Sequence, residues 1–312
     1  RILVLGSTGL IGSVVVRALR AAGHTVTALA RDVDNARRAN PRVAWMAADL
    51  ATLTAPECWA ALLAKVDADA IVNCAGALQD GARDDVAGVQ SLAMQALYPA
   101  AERARVARLV QISAIRARLD ADTAFMRTKA EADAALRASG LIWTILKPGL
   151  VLAPQAYGGT ALLRALAAVP MLVPLTMPDR PVQTVHVDDV ARAVLAALAG
   201  EVPARRDYDL VEPTPQPLAE VVSAFRGWLG LAAARQVVVP GWTGGLLARV
   251  ADGLGWLGWR SPLRSTAMAE IAAGVTGDPE PWRLASGWAP RALEDSLSGM
   301  PATVQERWFA PM

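Results

Sequence analysis

Arg1-Ile2-Leu3-Val4-Leu5-Gly6-Ser7-Thr8-Gly9-Leu10-Ile11-Gly12 opens the chain and decides its fold. An apolar run gives way to glycines spaced three apart, and a helical pattern follows. This reads as a parallel strand entering a phosphate-binding turn. Gly6 lets the chain reverse at the strand end. Gly9 lets backbone N–H groups approach a pyrophosphate with no Cβ in the way, and Gly12 lets the next helix pack close on the strand. The free N–H groups and positive end of that helix then face the phosphates. Ser7, Thr8, Leu10 and Ile11 complete a GxxGxxG segment, and all seven residues are expected to line a bound dinucleotide.

Outward from the turn, Leu10–Ala22 carries Ile11, Val14, Val15 and Leu19 at helical spacing, and Gly23 stops it. Thr25–Ala30 reads as the second strand, and Arg31 follows at once. An acidic residue about 20 positions past the glycines would hold a ribose 2′-hydroxyl, whereas an arginine suits a 2′-phosphate. Arg31 stands 19 residues after Gly12, and the strand ends Ala-Leu-Ala with no carboxylate. NADP(H) is therefore the expected cofactor, with Arg37 and Arg38 adding charge near the adenosine. Asp32, next in the chain, argues the other way.

Val43–Met46 reads as a third strand leading to Ala48-Asp49-Leu50. Asp49 there either accepts from an adenine amino group or starts a turn. Pro56–Lys65 is helical. Ala70–Asn73 is a buried strand, followed by Cys74-Ala75-Gly76, whose small side chains leave room for a ribose. Asp84–Arg105 reads as one long helix, Leu109–Ile112 as a strand ending at Ser113, and Asp122–Ser139 as a helix. Ile142–Leu146 is a strand running into Lys147-Pro148-Gly149. Strands alternating with helices predict an α/β fold, a Rossmann-type doubly wound parallel sheet over residues 1–150. Ligands of such sheets lie outside the carboxyl ends of the strands.

Past residue 150 the pattern changes. Val151–Thr160 reads as a loop, Gln183–Val187 as a strand returning to the sheet, and Val190–Leu198 as a helix capped by Asp188 and Asp189. Tyr208–Val211 is a short strand, and the remainder is helical with many breakers. Apart from the returning strand and helix near 182–199, residues 151–312 are expected to form a smaller, mostly helical substrate domain closing over the cleft. Trp228, Trp242, Trp256, Trp259, Trp282, Trp288 and Trp308 mark a Trp-rich, Arg-dotted region that reads either as an interaction surface or, the expected case, as buried core.

Composition narrows the classes. The chain has 312 residues, ample for two domains. Cys58 and Cys74 form no CxxC pair, which argues against a disulfide scaffold and a cysteine zinc site and fits a reducing compartment. No metal site is expected. A net charge of +2 with scattered basic residues implies no nucleic-acid partner. Arg164 interrupts the longest apolar candidate, Ala161–Val173, so no transmembrane helix is read. The chain opens on a strand, with Arg1 rather than a methionine and no signal-peptide pattern.

Taken in order, the Gly6–Gly12 turn, Arg31, Asp49-Leu50, Cys74-Ala75-Gly76, Ile112-Ser113-Ala114, Lys129-Ala130-Glu131, Leu146-Lys147-Pro148-Gly149 and Val185-His186-Val187-Asp188-Asp189-Val190-Ala191 resemble an extended or atypical short-chain dehydrogenase/reductase. The likeness covers about residues 1–200. It is similar in feel to epimerase/dehydratase-like members and to the NADPH-binding accessory subunit of respiratory complex I. Gly255-Trp256-Leu257-Gly258-Trp259-Arg260-Ser261-Pro262 and Arg307-Trp308-Phe309-Ala310 also look like bacterial members that continue into a membrane segment. The resemblance implies cofactor contacts from Ile112, Lys129 and Pro148 as well as the residues above. It also implies a cytoplasmic location, at the inner face of a membrane if the chain continues beyond its end. A small-molecule substrate of unknown identity and a monomer or homodimer are expected.

In that family a Ser, a Tyr and a Lys cooperate, with Tyr four residues before Lys. Tyr passes the proton, Lys holds the nicotinamide ribose and lowers the Tyr pKa, and Ser orients the substrate carbonyl. Ser113 and Lys129 match, but Phe125 stands at the Tyr position, and a phenyl ring has no proton to give. Lys129 is one of three lysines, with Lys65 and Lys147, among 31 basic side chains, so its use suggests a need for a compact ammonium. Tyr157, in a loop and expected at the surface, and Tyr98, on the helix before the fifth strand, are candidates to replace the missing acid; His186 is a candidate base, with packing at a strand end as its expected role. The expected function is an oxidoreductase or epimerase-like enzyme on a carbonyl or quinone-like substrate. The alternative is a catalytically silent NADPH-binding protein that senses redox state or supports an assembly, associated with a membrane in one form.

Overall fold

The structure is a computed structural model that describes residues 1–81, 85–155, 158–240, 269–270, 272–300 and 302. The chain begins with β1 (Ile2–Leu5), α1 (Leu10–Ala21), β2 (Val26–Ala30), α2 (Val33–Ala39), β3 (Ala44–Ala47), α3 (Pro56–Val66) and β4 (Ala70–Asn73). A π-helical stretch, Gly88–Leu92, runs into α4 (Ala93–Arg103), followed by β5 (Arg108–Ile112), α5 (Ala124–Ala138) and β6 (Trp143–Pro148). Then come β7 (Leu150–Leu152), α6 (Gly158–Ala168), β8 (Leu172–Leu175), β9 (Pro181–Val182), β10 (Thr184–His186), α7 (Val187–Ala199) and β11 (Arg206–Leu210). The described elements end with β12 (Gln216–Pro217), α8 (Leu218–Trp228), β13 (Arg235–Val238), α9 (Glu280–Ser286) and α10 (Leu293–Ser298).

Contacts divide the chain into two compact units. The first holds Arg1–Pro148, Val187–Asp209 and Pro281–Trp288. Its centre is a seven-stranded sheet in the order β11-β6-β5-β4-β1-β2-β3. All four residues of β1 and all four of β4 are buried, as strands covered by helices on both faces must be. α1 turns Val14, Val15, Val16 and Leu19 inward, and Trp59, Leu97, Tyr98, Leu109 and Leu136 fill the other side. β1 has β2 on one flank and β4 on the other, so the strand order reverses there. That reversal opens a crevice at the carboxyl ends of β1 and β4, the usual ligand position in such sheets.

The second unit holds Gly149–His186, Leu210–Glu280 and Ala289–Met312. It carries three two-stranded ribbons: β7 with β10, β9 with β12, and β8 with β13. α6, α8 and α10 pack around Phe225, Leu163, Val221 and Leu293. A buried carboxylate ties its segments together. Glu212 accepts from Thr184 N at 2.7 Å, Thr184 Oγ1 at 2.8 Å and Leu293 N at 2.9 Å.

Several expectations are corrected. The strand at residues 184–186 does not return to the large sheet; it pairs with β7. The free edge of β6 is already taken by β11, where Arg205 N donates to Trp143 O at 2.6 Å and Gly149 N to Leu210 O at 3.0 Å. The expected loop 151–160 instead contains β7 and the start of α6, because Leu150, Val151 and Leu152 have that partner strand. The expected long helix from Asp84 is a π-helical stretch joined to α4, with Asp84 itself outside the described residues. α7 starts at Val187, so Asp188 and Asp189 occupy its first turn rather than precede it. The tail beyond Val211 is not all helix, since β12 and β13 find partners there. Trp282 is fully buried, edge-on to Trp288 and Tyr208, while Trp242, Trp256, Trp259 and Trp308 lie outside the described residues. Among the described residues no helix is long and apolar enough to cross a membrane.

Candidate nucleotide site

Apart from Lys129, which stands on α5, the residues expected to touch a cofactor fall at the carboxyl edge of the seven-stranded sheet. The glycine turn follows β1, Arg31 follows β2, and Asp49 and Leu50 follow β3. Cys74-Ala75-Gly76 follows β4, Ile112 closes β5 with Ser113 next after it, and Pro148 closes β6.

The turn is built for close backbone approach. Gly6 has φ +67°, and a Cβ there would lie 2.6 Å from Ala75 N and Cys74 O. A Cβ on Gly12 would lie 2.1 Å from Gly6 O. Gly9 is less restricted, since its Cβ would meet Gly6 O at 3.2 Å. Ser7 is buried and donates to Val4 O at 2.7 Å, so it braces the strand rather than facing outward. Thr8 and Gly9 are exposed, while Leu10 and Ile11 are half-buried. Gly9 is the N-cap of α1 with no side-chain cap, and the first turn of α1 has no acidic residue. The lip of the turn therefore offers N–H groups and the positive helix end to an anion.

Arg31 is exposed at the end of β2. Asp32, the residue arguing against a 2′-phosphate, is the N-cap of α2: its Oδ1 accepts from Asn35 N at 2.9 Å. Arg37 lies 3.7 Å from Asp34 on the exposed face of α2. Asp49 Oδ1 accepts from Ala51 N at 3.1 Å and starts a 3-10 turn at Leu50.

The opposite end is a cluster of buried polar side chains. Lys129 on α5 reaches back across the sheet edge, and its Nζ donates to Ile112 O at 2.9 Å and Ala75 O at 3.0 Å. Burial pulls its ammonium down to about 8, against Asp133 and Cys74, which raise it. Burial pushes the Cys74 thiol up to about 12, so it stays neutral near pH 7. A Cβ on the exposed Gly76 would meet Gln90 Oε1 at 3.1 Å and Lys129 Nζ at 3.5 Å. Gln90 is buried, its Nε2 donates to Thr128 Oγ1 at 3.0 Å, and its Oε1 has no hydrogen-bond partner among the described residues. An unpaired buried acceptor beside a glycine and an ammonium suits a ligand rich in hydroxyl donors, as a ribose is.

Phe125, Lys129 and Asp133 stand four residues apart and share one face of α5. Ser113 Oγ donates to Asp133 Oδ2. Phe125 is half-buried one turn before Lys129, where it can only pack. Tyr98, on α4, is buried with its hydroxyl 3.5 Å from Gln111 Oε1, and burial raises its phenol well above the usual value. It belongs to the core because its helix turns that face onto the sheet. Tyr157 lies outside the described residues. His186 is buried at the end of β10, in the second unit. Lys147 pairs with Asp207 at 2.7 Å.

Asp133 and Gln90 are the members of the cluster that sequence reading missed. Asp133 carries a usable signal, since it follows Lys129 by four helical positions. Gln90 carries none, because the π-helical register of Gly88–Leu92 turns it toward Gly76.

A parallel sheet with a glycine turn at its switch point, and a buried serine and lysine at the neighbouring strand ends, defines a Rossmann-type nucleotide-binding protein of the short-chain dehydrogenase/reductase kind. The chain belongs to the NAD(P)H-binding family, whose model matches residues 6–201. It is 31% identical to a 3-diazoavenalumate denitrifying reductase from a Streptomyces species, over 93% of this chain and 96% of that one. It is 30% identical to an NAD(P)H azoreductase from Xenophilus azovorans, over 73% of this chain and 74% of that one. In fold it resembles the NADPH-dependent quinone oxidoreductase QOR2 from Escherichia coli in complex with NADPH. That match has a TM-score of 0.70 and 18% identity, over 96% of this chain and 99% of that one. The enzyme WbmG of Bordetella bronchiseptica in complex with NAD and UDP is also similar, with a TM-score of 0.72 and 19% identity, over 96% and 93% of the two chains.

Proposed function

We propose that the protein is an NADPH-dependent reductase of a small electron-poor acceptor. The acceptor class is a quinone, a carbonyl compound or a nitrogen–nitrogen multiple bond of the azo or diazo type. The observation that carries this reading is the convergence of Lys129, Gln90 and Gly76 beside Ser113, at the strand ends next to the glycine turn. The names of the relatives, an azoreductase and a denitrifying reductase, support the acceptor class.

NADPH supplies a hydride when bound. The chain's own groups do the rest. The Gly6–Gly12 turn and the α1 N-terminus hold the phosphates, and Arg31 takes the 2′-phosphate. Lys129 and Gln90 hold the ribose nearest the reacting end. Ser113 holds the acceptor atom that gains a proton.

Titration of the purified protein with NADPH and with NADH, followed by absorbance assays with a quinone, an azo dye and a carbonyl panel, tests this. NADPH binding and oxidation by at least one acceptor is the expected result; no binding of either nucleotide overturns the reading. Phe125 favours a second reading, a silent NADPH-binding protein, because the site lacks the family's usual proton donor. Phe125→Tyr separates the two. In a working reductase it raises carbonyl reduction about tenfold or more; in a silent protein it leaves NADPH unoxidised.

A further inference from the structure

A reductase without the tyrosine needs another proton source, and α5 holds one. Asp133 is 1% exposed, yet it is an acid, and its Oδ2 accepts from the Ser113 hydroxyl. Its other oxygen, Oδ1, has no hydrogen-bond partner among the described residues. A buried ionised carboxylate with an unsatisfied oxygen is costly, and a proton removes that cost. The same side chain faces charges from every side. Lys129 and Arg137 lie one turn before and after it on α5, and Lys147 approaches from β6. Ser113 contributes the hydrogen bond from β5, Tyr98 faces it from α4, and Asp207 on β11 binds Arg137 and Lys147.

We propose that Asp133 and Ser113 form the proton relay of this enzyme, taking over the task of the absent tyrosine. The proposal rests on the reductase reading above and specifies how that site delivers its proton. In the working state Asp133 is a neutral acid whose O–H donates to Ser113 Oγ, and the Ser113 hydrogen is turned toward the acceptor. The acceptor atom that becomes negative after hydride addition takes the Ser113 proton. An O–H or N–H bond forms on the product while the serine O–H bond breaks. The Asp133 proton moves to Ser113 Oγ at the same time, leaving an Asp133 carboxylate that regains a proton back through the Ser113 hydroxyl when product is replaced by water in the acceptor position. The two electrons of the reduction arrive with the hydride, so the relay carries only the proton. Ser113 touches the acceptor; Asp133 acts through Ser113 and is a positioning and proton-storing residue.

Burial pushes the Asp133 carboxyl above its usual value, while the Ser113 hydrogen bond and the three cations pull it down. Because burial dominates, Asp133 holds its proton to a higher pH than a solvated aspartate. Turnover then falls as pH rises through that raised value.

The test has two independent arms on the full chain. NMR of isotope-labelled aspartate, without nucleotide or acceptor, follows the Asp133 carboxyl against pH, with Asp133→Asn assigning the signal. Titration above the ordinary value of about 4 is expected; titration at or below it overturns the relay, whatever the substrate proves to be. In the second arm, NADPH oxidation by a benzoquinone and an azo dye is measured against pH. Asp133→Asn is expected to keep NADPH affinity, to lose about 100-fold in kcat and to lose the fall with rising pH; Asp133→Glu recovers part of both. In a Ser113→Ala background Asp133→Asn costs nothing further, because the relay is already cut. A wild-type pH profile in Asp133→Asn, or full additivity with Ser113→Ala, overturns the proposal. Should Asp133→Asn fail to fold, the aspartate titration in wild type, assigned by its response to Ser113→Ala, decides. If wild type binds NADPH and reduces neither probe while Asp133 titrates high, the reductase reading fails and takes the relay with it.

Discussion

Backbone atoms define the Gly6–Gly12 turn, whereas the Ser113–Lys129–Asp133 cluster is built from side chains on separate elements. The turn spans seven consecutive residues, and its constraints are steric: a Cβ at Gly12 would sit 2.1 Å from Gly6 O. The cluster joins β4, the π-helical stretch, β5 and α5 through buried donors and acceptors. One region tolerates no bulk. The other is set by which of its buried groups carry a proton. The first therefore breaks by added atoms and the second by changed protonation.

The largest effect is expected at the turn. Gly12→Val should abolish NADPH binding, a loss of more than about 100-fold, since the clash is with backbone that cannot move aside. Gly9→Ala, whose Cβ meets Gly6 O at 3.2 Å, should cost about tenfold or less. Isothermal titration with NADPH reads both, and equal affinity in Gly12→Val would remove the turn from the site.

The cluster should announce itself through pH. Lys129 is held at about 8, below its unfolded value of 10.5. The unfolded chain therefore binds more protons between these values, and this group makes stability rise with pH across that window. The full span is worth about 3 kcal/mol. Cys74 works oppositely above pH 9, because its folded value is raised to about 12. Denaturant melts of wild type against Lys129→Met isolate the lysine: the difference between them should shift by about 2 kcal/mol from pH 8 to 10. A constant difference would mean that the lysine is not buried as a strained cation.

A smaller effect sharpens the adenosine end. Arg31→Ala should weaken NADPH about tenfold, close to 1.4 kcal/mol, and leave NADH unchanged. Equal loss for both nucleotides would remove the 2′-phosphate role.

Much of the fold was legible because its signals are local. β4 was read without error as Ala70–Asn73, and the α1, α3 and α5 boundaries differ by a residue or two. The misreadings share a cause. β7, β8, β12 and β13 are short strands that exist only through their partners, so no run of residues announces them. Asp32 was ambiguous in sequence because a carboxylate beside Arg31 has two uses; its bond to Asn35 N accounts for it as a helix cap.

The sequence by itself determined the strand–glycine turn–helix, the alternation that makes the sheet parallel, and the place of Phe125 four residues before Lys129. Each of these is written within a few neighbouring residues, where sterics and periodicity act. Only the tertiary structure decided that β11 rather than β10 closes the sheet, that Tyr98 is core, and that Asp133 lies under Ser113 with Gln90 facing Gly76. Those outcomes depend on which strand edge is already occupied and on which buried polar group finds a partner. Both are settled between residues far apart in the chain.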